Sequence, residues 1–405
     1  MRRPYYGWYV AGACFLGTFV LFGVSYSFGV FLERMLETFD ADRGATSLAF
    51  GVQTVALYVG ASVIGVLVDR YGTRRSLLVG LVGTASGLAL ASRANSLLEL
   101  VLTYGVLTGV GLSVVYVVSY ATVTRWFDRR LGLAGGIASA GLGVGMLAVV
   151  PAATWIIART GWRDALVALA ALAAVVLGVA ALVVRDDPAS VDVDPPAGEF
   201  RGAVPVANRQ SLREQYAVVR PLAASRPFAA LFAGWVLVYA SLYVLLAHLV
   251  LHAVDVGIGR ASGATALAAL GTTSAIGRVA IGHLADTLGR LRVFVACSAV
   301  MGVATLALLG VRSSAVLIAV AALYGLAYGG NGALLSPVTA DLFGRDNINA
   351  VFGLVSMAFA VSGLVAPSAA GAVYDATGTY EPALAVTGVL ALLGAGSVAL
   401  AGRLA

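Results

Sequence analysis

Gly65-Val66-Leu67-Val68-Asp69-Arg70-Tyr71-Gly72-Thr73-Arg74-Arg75 ends one long apolar run and leads into another. A related string, Gly282-His283-Leu284-Ala285-Asp286-Thr287-Leu288-Gly289-Arg290-Leu291-Arg292, stands 217 residues further on. Gly65, Asp69, Gly72 and Arg75 recur there as Gly282, Asp286, Gly289 and Arg292. Thr160-Gly161 returns at the same offset as Thr377-Gly378, and Pro151 returns as Pro367 at 216. A motif that recurs in register with its flanking landmarks marks a duplicated unit rather than chance. Because the copies run in parallel, the halves are expected to be related by a pseudo-two-fold axis along the membrane normal.

The sequence around these strings is apolar almost throughout. Of 405 residues, 60% are hydrophobic and 11% charged, against about 25% charged in a soluble domain. This composition excludes a water-soluble enzyme, a disordered chain and a secreted disulfide scaffold. Cys14 and Cys297 lie far apart in apolar stretches and imply no disulfide framework. Twelve apolar spans can be read: 8–31, 46–68, 76–92, 97–123, 131–158, 164–184, 227–252, 262–284, 293–310, 315–340, 349–373 and 381–401. Helices are expected, because lipid leaves no partner for an open backbone. The 49 glycines then permit close helix approach. Met1-Arg2-Arg3 resembles the start of a signal peptide, but the first span is too long for one and is read as retained. The expected class is an all-α integral membrane protein with two pseudo-symmetric six-helix bundles, residues 1–184 and 227–405. A flexible cytoplasmic linker, 185–226, joins them.

Every basic residue is arginine. Eighteen of the 26 fall at the termini and in the even-to-odd loops, seven fall in the other loops, and Arg278 belongs to neither face. The positive-inside rule therefore puts both termini in the cytoplasm, and a multi-pass plasma-membrane protein is expected. The net charge of +6 is a topology signal and points to no nucleic-acid partner.

The Gly65–Arg75 string matches the loop 2–3 signature of the major facilitator superfamily, and the resemblance extends over essentially the whole chain. A narrower resemblance lies in Arg125-Trp126-Phe127-Asp128-Arg129-Arg130-Leu131-Gly132-Leu133-Ala134-Gly135-Gly136-Ile137-Ala138-Ser139-Ala140-Gly141 and in Gly7-Trp8. Both are similar to the monocarboxylate transporter and oxalate/formate exchanger branch. Such a resemblance implies the twelve-helix facilitator fold and transport of a small organic anion. It also implies a cytoplasmic gate motif of Gly65, Asp69, Arg70, Gly72, Arg74, Arg75, Asp286 and Arg290. Asp69 can accept hydrogen bonds from arginines or a helix N-terminus, which gives the latch a physical basis.

Arg278 lies about 12 Å along its helix from Asp286, so it is expected deep in the membrane. An arginine there costs at least ~2.5–3.5 kcal/mol on insertion scales. No acidic residue lies deep in any span to offset that cost. A guanidinium left without an internal counter-ion suits a substrate carboxylate, which it can bind through two parallel hydrogen bonds. The branch resemblance implies the same role for a helix-8 arginine. Departures from the branch accompany it: the partner aspartate of animal members is replaced by Ser274, and the branch's functional lysines are absent. One arginine favours a monocarboxylate over a dicarboxylate. At similar depth, Tyr116 and Tyr120 of span 4, and Tyr328 and Asn331 of span 10, are expected to contact substrate with Ser274. Tyr324 shares the span 10 face, Gly109 and Ser113 share the span 4 face, and Ser25, Tyr26 and Gln53 are weaker candidates. His248 is the proton-coupling candidate, and His252, near Asp255, is expected at the interface.

The reading that follows is a secondary transporter for a lactate- or pyruvate-like monocarboxylate, coupled to protons or to a counter-anion. It is expected to act as a monomer, with no cofactor and no metal. No phosphate loop, metal-ligand cluster or nucleophile constellation supports an enzyme. A proton-driven exporter of organic compounds would call for a deep carboxylate. A non-transporting membrane sensor on the same fold would call for an appended signalling domain.

Overall fold

The computed structural model describes residues 5–127, 131–186, 220–344 and 348–405. Among them the elements are helical throughout, and they supply twelve spans. Eleven segments are long and apolar enough to cross a membrane. The remaining span, Thr73–Ala91, is 19 residues long and carries Arg74 and Arg75 in its first turn.

Span 1 is the first departure from the sequence reading. It runs as Gly7–Tyr26, breaks at Ser27, and continues as Phe28–Phe39, well beyond residue 31. The Ser27 hydroxyl bonds back to the Val24 carbonyl at 2.8 Å, the local competition that bends helices at serine. Span 2 is Arg43–Tyr71 and span 3 Thr73–Ala91. Span 4 begins at Leu97, includes a π-helical stretch, Val101–Leu107, and ends at Trp126. Span 5 is Leu131–Thr160 and span 6 Trp162–Val183. Spans 7 to 12 are Arg226–Asp255, Arg260–Leu288, Arg290–Ala307, Ser314–Phe343, Ile348–Thr377 and Glu381–Leu404. Most spans outrun the apolar runs by two to four residues at one end or both, because backbone hydrogen bonding continues into the polar ends. Within the linker, residues 187–219 lie outside the described residues.

The halves meet through three helix pairs: span 2 with span 11, span 5 with span 8, and the Phe28–Phe39 segment with span 7. Spans 3, 6, 9 and 12 pack within their own halves and turn Val79, Val82, Val175, Leu182, Val303, Val386 and Leu393 outward. These apolar faces suit lipid. Spans 8 and 10 approach most closely. A methyl group on Gly325 would collide with the Leu270 carbonyl oxygen, and one on Gly329 with that of Ser274. Only glycine allows the two backbones to touch there, and this contact fixes Arg278 against span 10.

The described ends, Tyr5 and Ala405, share one face of the bundle, since the number of described spans between them is even. Among the described residues, the polar contacts between the halves gather at the opposite, far face. Arg43 pairs with Asp255 at 3.1 Å and donates to the Tyr380 hydroxyl at 2.8 Å. Arg260 pairs with Glu33, and Asp375 accepts the backbone N–H groups of Arg43 and Gly44. Tyr26 and Tyr328 add one cross-half contact at mid-depth.

Candidate functional site

Arg278 lies half-buried near the middle of the bundle. Its guanidinium rests against Gly332 of span 10, where a methyl group would come within 3.0 Å of Nη2. Cζ lies 5.9 Å from the centroid of the Tyr328 ring, within cation–π range. Its Nε is buried with no hydrogen-bond partner, and among the described residues no carboxylate pairs with it. The groups within its electrostatic reach are the hydroxyls of Tyr26, Tyr116, Tyr120, Tyr239 and Tyr328.

These tyrosines belong to a chain of rings that crosses both halves. Tyr120 packs on Tyr116 with centroids 4.9 Å apart, and Tyr116 meets Tyr58 edge-on at 5.7 Å. Tyr58 packs against Phe359 of span 11 at 5.1 Å, and Phe359 against Tyr239 of span 7 at 4.6 Å. Tyr239 meets Tyr328 at 6.3 Å, and the Tyr328 hydroxyl lies 3.2 Å from that of Tyr26. Spans 1, 2, 4, 7, 10 and 11 thus enclose one cation with aromatic walls and phenolic hydroxyls. Chemically, such surroundings offer an anion a charge partner and offer its apolar remainder ring faces.

Tyr116, Tyr120 and Tyr328 stand where the depth argument expects them, around Arg278. Asn331 does not. Its Oδ1 accepts from the Tyr239 hydroxyl, and its Nδ2 donates to Ser298 Oγ at 2.7 Å. The amide is fully buried, and it joins spans 7, 9 and 10 rather than lining the site. Tyr324 likewise pairs with Ser241 at 2.9 Å. Ser274 is fully buried behind Arg278, its hydroxyl without a partner. Gly109 and Ser113 serve packing of spans 2 and 4, against Gln53 and Gly60. Ser25 donates to the Gln53 side chain at 2.7 Å.

His248 stands elsewhere. It does not reach the Arg278 space but lies among the far-face contacts. Its Nε2 is 2.8 Å from the Pro367 carbonyl, and its Nδ1 2.9 Å from the Tyr380 hydroxyl. His252, in the last turn of span 7, is buried beside Tyr380. Tyr58, Tyr239, Phe359 and Gly332 complete the site and escaped the sequence reading. The depth argument used on spans 4 and 10 would have reached Tyr58 and Tyr239; nothing in the sequence marks Gly332.

Residues 14–282 and 249–403 each match the family model described as Major Facilitator Superfamily. The chain belongs to the major facilitator superfamily. Among its curated relatives is rat monocarboxylate transporter 3, 32% identical over 384 residues, covering 93% of this chain and 76% of that one. Mouse monocarboxylate transporter 11 is 31% identical over 402 residues, with 96% and 86% covered. A bacterial homologue of the human lysosomal transporter Spinster, solved inward-facing and unoccupied, superposes with a TM-score of 0.75 at 16% identity, covering 100% and 98%. A point mutant of the nucleoside transporter NupG superposes at 0.72, with 13% identity and 97% and 98% covered. The protein is thus a multi-pass membrane transporter, not an enzyme.

The two fragments that carry the narrower branch resemblance are neighbours in the fold. Trp8 packs on Phe127 with centroids 4.7 Å apart, and the Tyr5 hydroxyl donates to the Trp126 carbonyl at 2.8 Å. Gly7-Trp8 and Arg125-Trp126-Phe127 therefore form one structural unit on the terminal face. In the loop 2–3 motif, Gly72 adopts φ +84°, and the Thr73 N–H is accepted by Asp186 from the beginning of the linker. That carboxylate complements the positive end of span 3. Arg70, Arg74 and Arg75 are exposed, and Arg290 reaches Asp341 at 3.4 Å. The side chains of Asp69 and Asp286, on which the expected latch depends, lie outside the described residues, and so do the surroundings of Gly65.

Proposed function

We propose that this chain is a plasma-membrane secondary transporter of a small monocarboxylate, lactate- or pyruvate-like, with both termini in the cytoplasm. It works by alternating access, coupled to protons or to a counter-anion. The observation that carries this reading is Arg278: a membrane-embedded guanidinium with no carboxylate partner among the described residues, facing aromatic groups from both halves. Such a cation is completed by an anion, and a carboxylate matches its two-pronged donor geometry. A cationic cargo would meet this charge unfavourably, so the exporter reading of such compounds is the weaker one. The names of the relatives agree with the proposed substrate class. In this reading the far face is extracellular, and its cross-half contacts hold the pathway shut on that side while the halves rock around Arg278.

The test is uptake of labelled lactate, pyruvate, formate and oxalate into proteoliposomes, with and without an inward proton gradient or internal anion. Monocarboxylate uptake that falls at least ~100-fold in a well-inserted Arg278→Ala variant is the expected result, as for loss of a positioning charge. Unchanged affinity and rate in that variant would sink the assignment. Gradient-stimulated uptake indicates symport; uptake only into anion-loaded liposomes indicates exchange.

A further inference from the structure

The far face holds a buried hydrogen-bonded chain that the carboxylate site does not use. Arg43, the first residue of span 2, lies with Cζ 3.6 Å from the Tyr374 ring centroid. It donates from Nη1 to the Tyr380 hydroxyl at 2.8 Å and pairs with Asp255. The Tyr380 hydroxyl in turn lies 2.9 Å from His248 Nδ1, and His248 Nε2 lies 2.8 Å from the Pro367 carbonyl. Tyr380 and His248 are each 1% exposed. Arg43 comes from the N-terminal half; Asp255, His248, Tyr380 and Pro367 all come from the C-terminal half.

The proton positions in this chain follow from donor and acceptor chemistry. A carbonyl oxygen only accepts, so His248 Nε2 must carry the hydrogen that faces Pro367. A guanidinium only donates, so the Tyr380 oxygen must accept from Arg43. The Tyr380 hydrogen is then directed to His248 Nδ1, which must present a lone pair. With the imidazole neutral, every hydrogen in this chain has an acceptor. With a proton on Nδ1, two donors face the one phenolic oxygen, the Tyr380 hydrogen loses its acceptor, and a second positive charge arises near Arg43.

We propose that Arg43, Tyr380 and His248 form a proton-operated latch between the halves, closed while His248 is neutral and released when it is protonated. His248 and Tyr380 act here as positioning residues: they hold the phenolic oxygen where Arg43 can engage it, and neither touches substrate. Closure of the far face and protonation of His248 are mutually antagonistic, so acidification favours the far-open state by linkage. One coupled proton changes the ratio of open to closed by at most about tenfold per pH unit. The inference rests on the alternating-access reading above but not on the identity of the substrate. It places proton sensitivity in the gate rather than in the cavity.

Other ionisable groups face the same region. Asp255 and His252 stand on span 7, Asp375 and Tyr374 on span 11, and Glu381 follows Tyr380 at the start of span 12. Glu33 and Arg260 form a separate pair. Protonation of Asp255 or Asp375 would also loosen the far face, so the test must separate those carboxylates from the imidazole. His248→Gln does so: its amide can donate toward Pro367 and accept from Tyr380, yet it does not titrate.

The experiment is a spin-label distance measurement across the far face, on the full chain in lipid nanodiscs without substrate, from pH 8 to pH 5. Labels are placed by Asn95→Cys and Ala315→Cys, at exposed far-face positions of the two halves, with Cys14 and Cys297 replaced by alanine. Parent protein is expected to shift from a short to a long distance on acidification, by up to about tenfold in ratio per pH unit. His248→Gln is expected to keep the short distance at pH 8, which also reports intact folding, and to shift less than about twofold over the range. Tyr380→Phe, which removes the hydroxyl link, is expected to lose the response as well. A full response in His248→Gln assigns the effect to the other ionisable groups, Asp255, Asp375 or His252, and overturns the proposal. So does a parent distribution indifferent to pH. Because no substrate is present, failure of the carboxylate assignment leaves this result unaffected, and failure here leaves that assignment standing.

Discussion

Gly332 offers the sharpest test of how Arg278 is held. A methyl group at that position would stand 3.0 Å from Nη2, 3.2 Å from Cζ and 3.3 Å from Nη1. Restoring an ordinary contact of ~3.5 Å requires the guanidinium to retreat by about half an ångström. Binding groups must be held within about 0.5 Å of their productive geometry, and a misplacement of about 1 Å can cost roughly 100-fold. Half that displacement gives about a tenfold loss of apparent affinity in Gly332→Ala, or ~1.4 kcal/mol. Folding should not suffer, because alanine in a helix is favoured over glycine by about 0.5–1 kcal/mol. The assay is saturation uptake in proteoliposomes, with thermal stability followed in parallel. Gly396→Ala is the control: its methyl would meet nothing within 4 Å, so it reports helix propensity alone. An affinity within about twofold of the parent in Gly332→Ala would refute the idea that the span 10 backbone sets the guanidinium position.

Two further outcomes follow from the packing. Gly329→Ala would drive a methyl group into the Ser274 carbonyl, which cannot swing aside, so spans 8 and 10 must part. A stability loss of at least about 1–3 kcal/mol is expected, read as a lower thermal midpoint in detergent; an unchanged midpoint would contradict the close approach. Asn331→Ala should destabilise by about 1–3 kcal/mol, because Tyr239 and Ser298 each lose a buried partner. Uptake affinity in its folded fraction should stay within about threefold of the parent, whereas a collapse of affinity with full stability would restore Asn331 to the substrate site.

Much of the architecture is legible in the chain because lipid simplifies the problem. Where water cannot satisfy the backbone, a long apolar run has one outcome, and the repeat of Gly65–Arg75 at Gly282–Arg292 counts the halves. Arg278 is legible for a related reason: a charge at that depth is costly enough to be informative without any contact list. Tyr116, Tyr120 and Tyr328 share the depth of Arg278 along neighbouring helices, a coordinate that selected Asn331 as well.

Helix azimuth is what the sequence withholds. Asn331 lies three residues from Tyr328, yet the rotation of span 10 turns its amide toward Ser298 and Tyr239. A depth argument has no term for that angle, which is set by the glycine contacts between spans 8 and 10. Long-range pairing is withheld as well. Arg43 and Tyr380 stand 337 residues apart, and Trp8 and Phe127 meet only because spans 1 and 4 bring them together. The sequence by itself determined the solvent, the number of spans and the one costly charge, because each is set residue by residue against lipid. The tertiary structure decided what surrounds that charge and what latches the halves, because those depend on the rotation and meeting of helices distant in the chain.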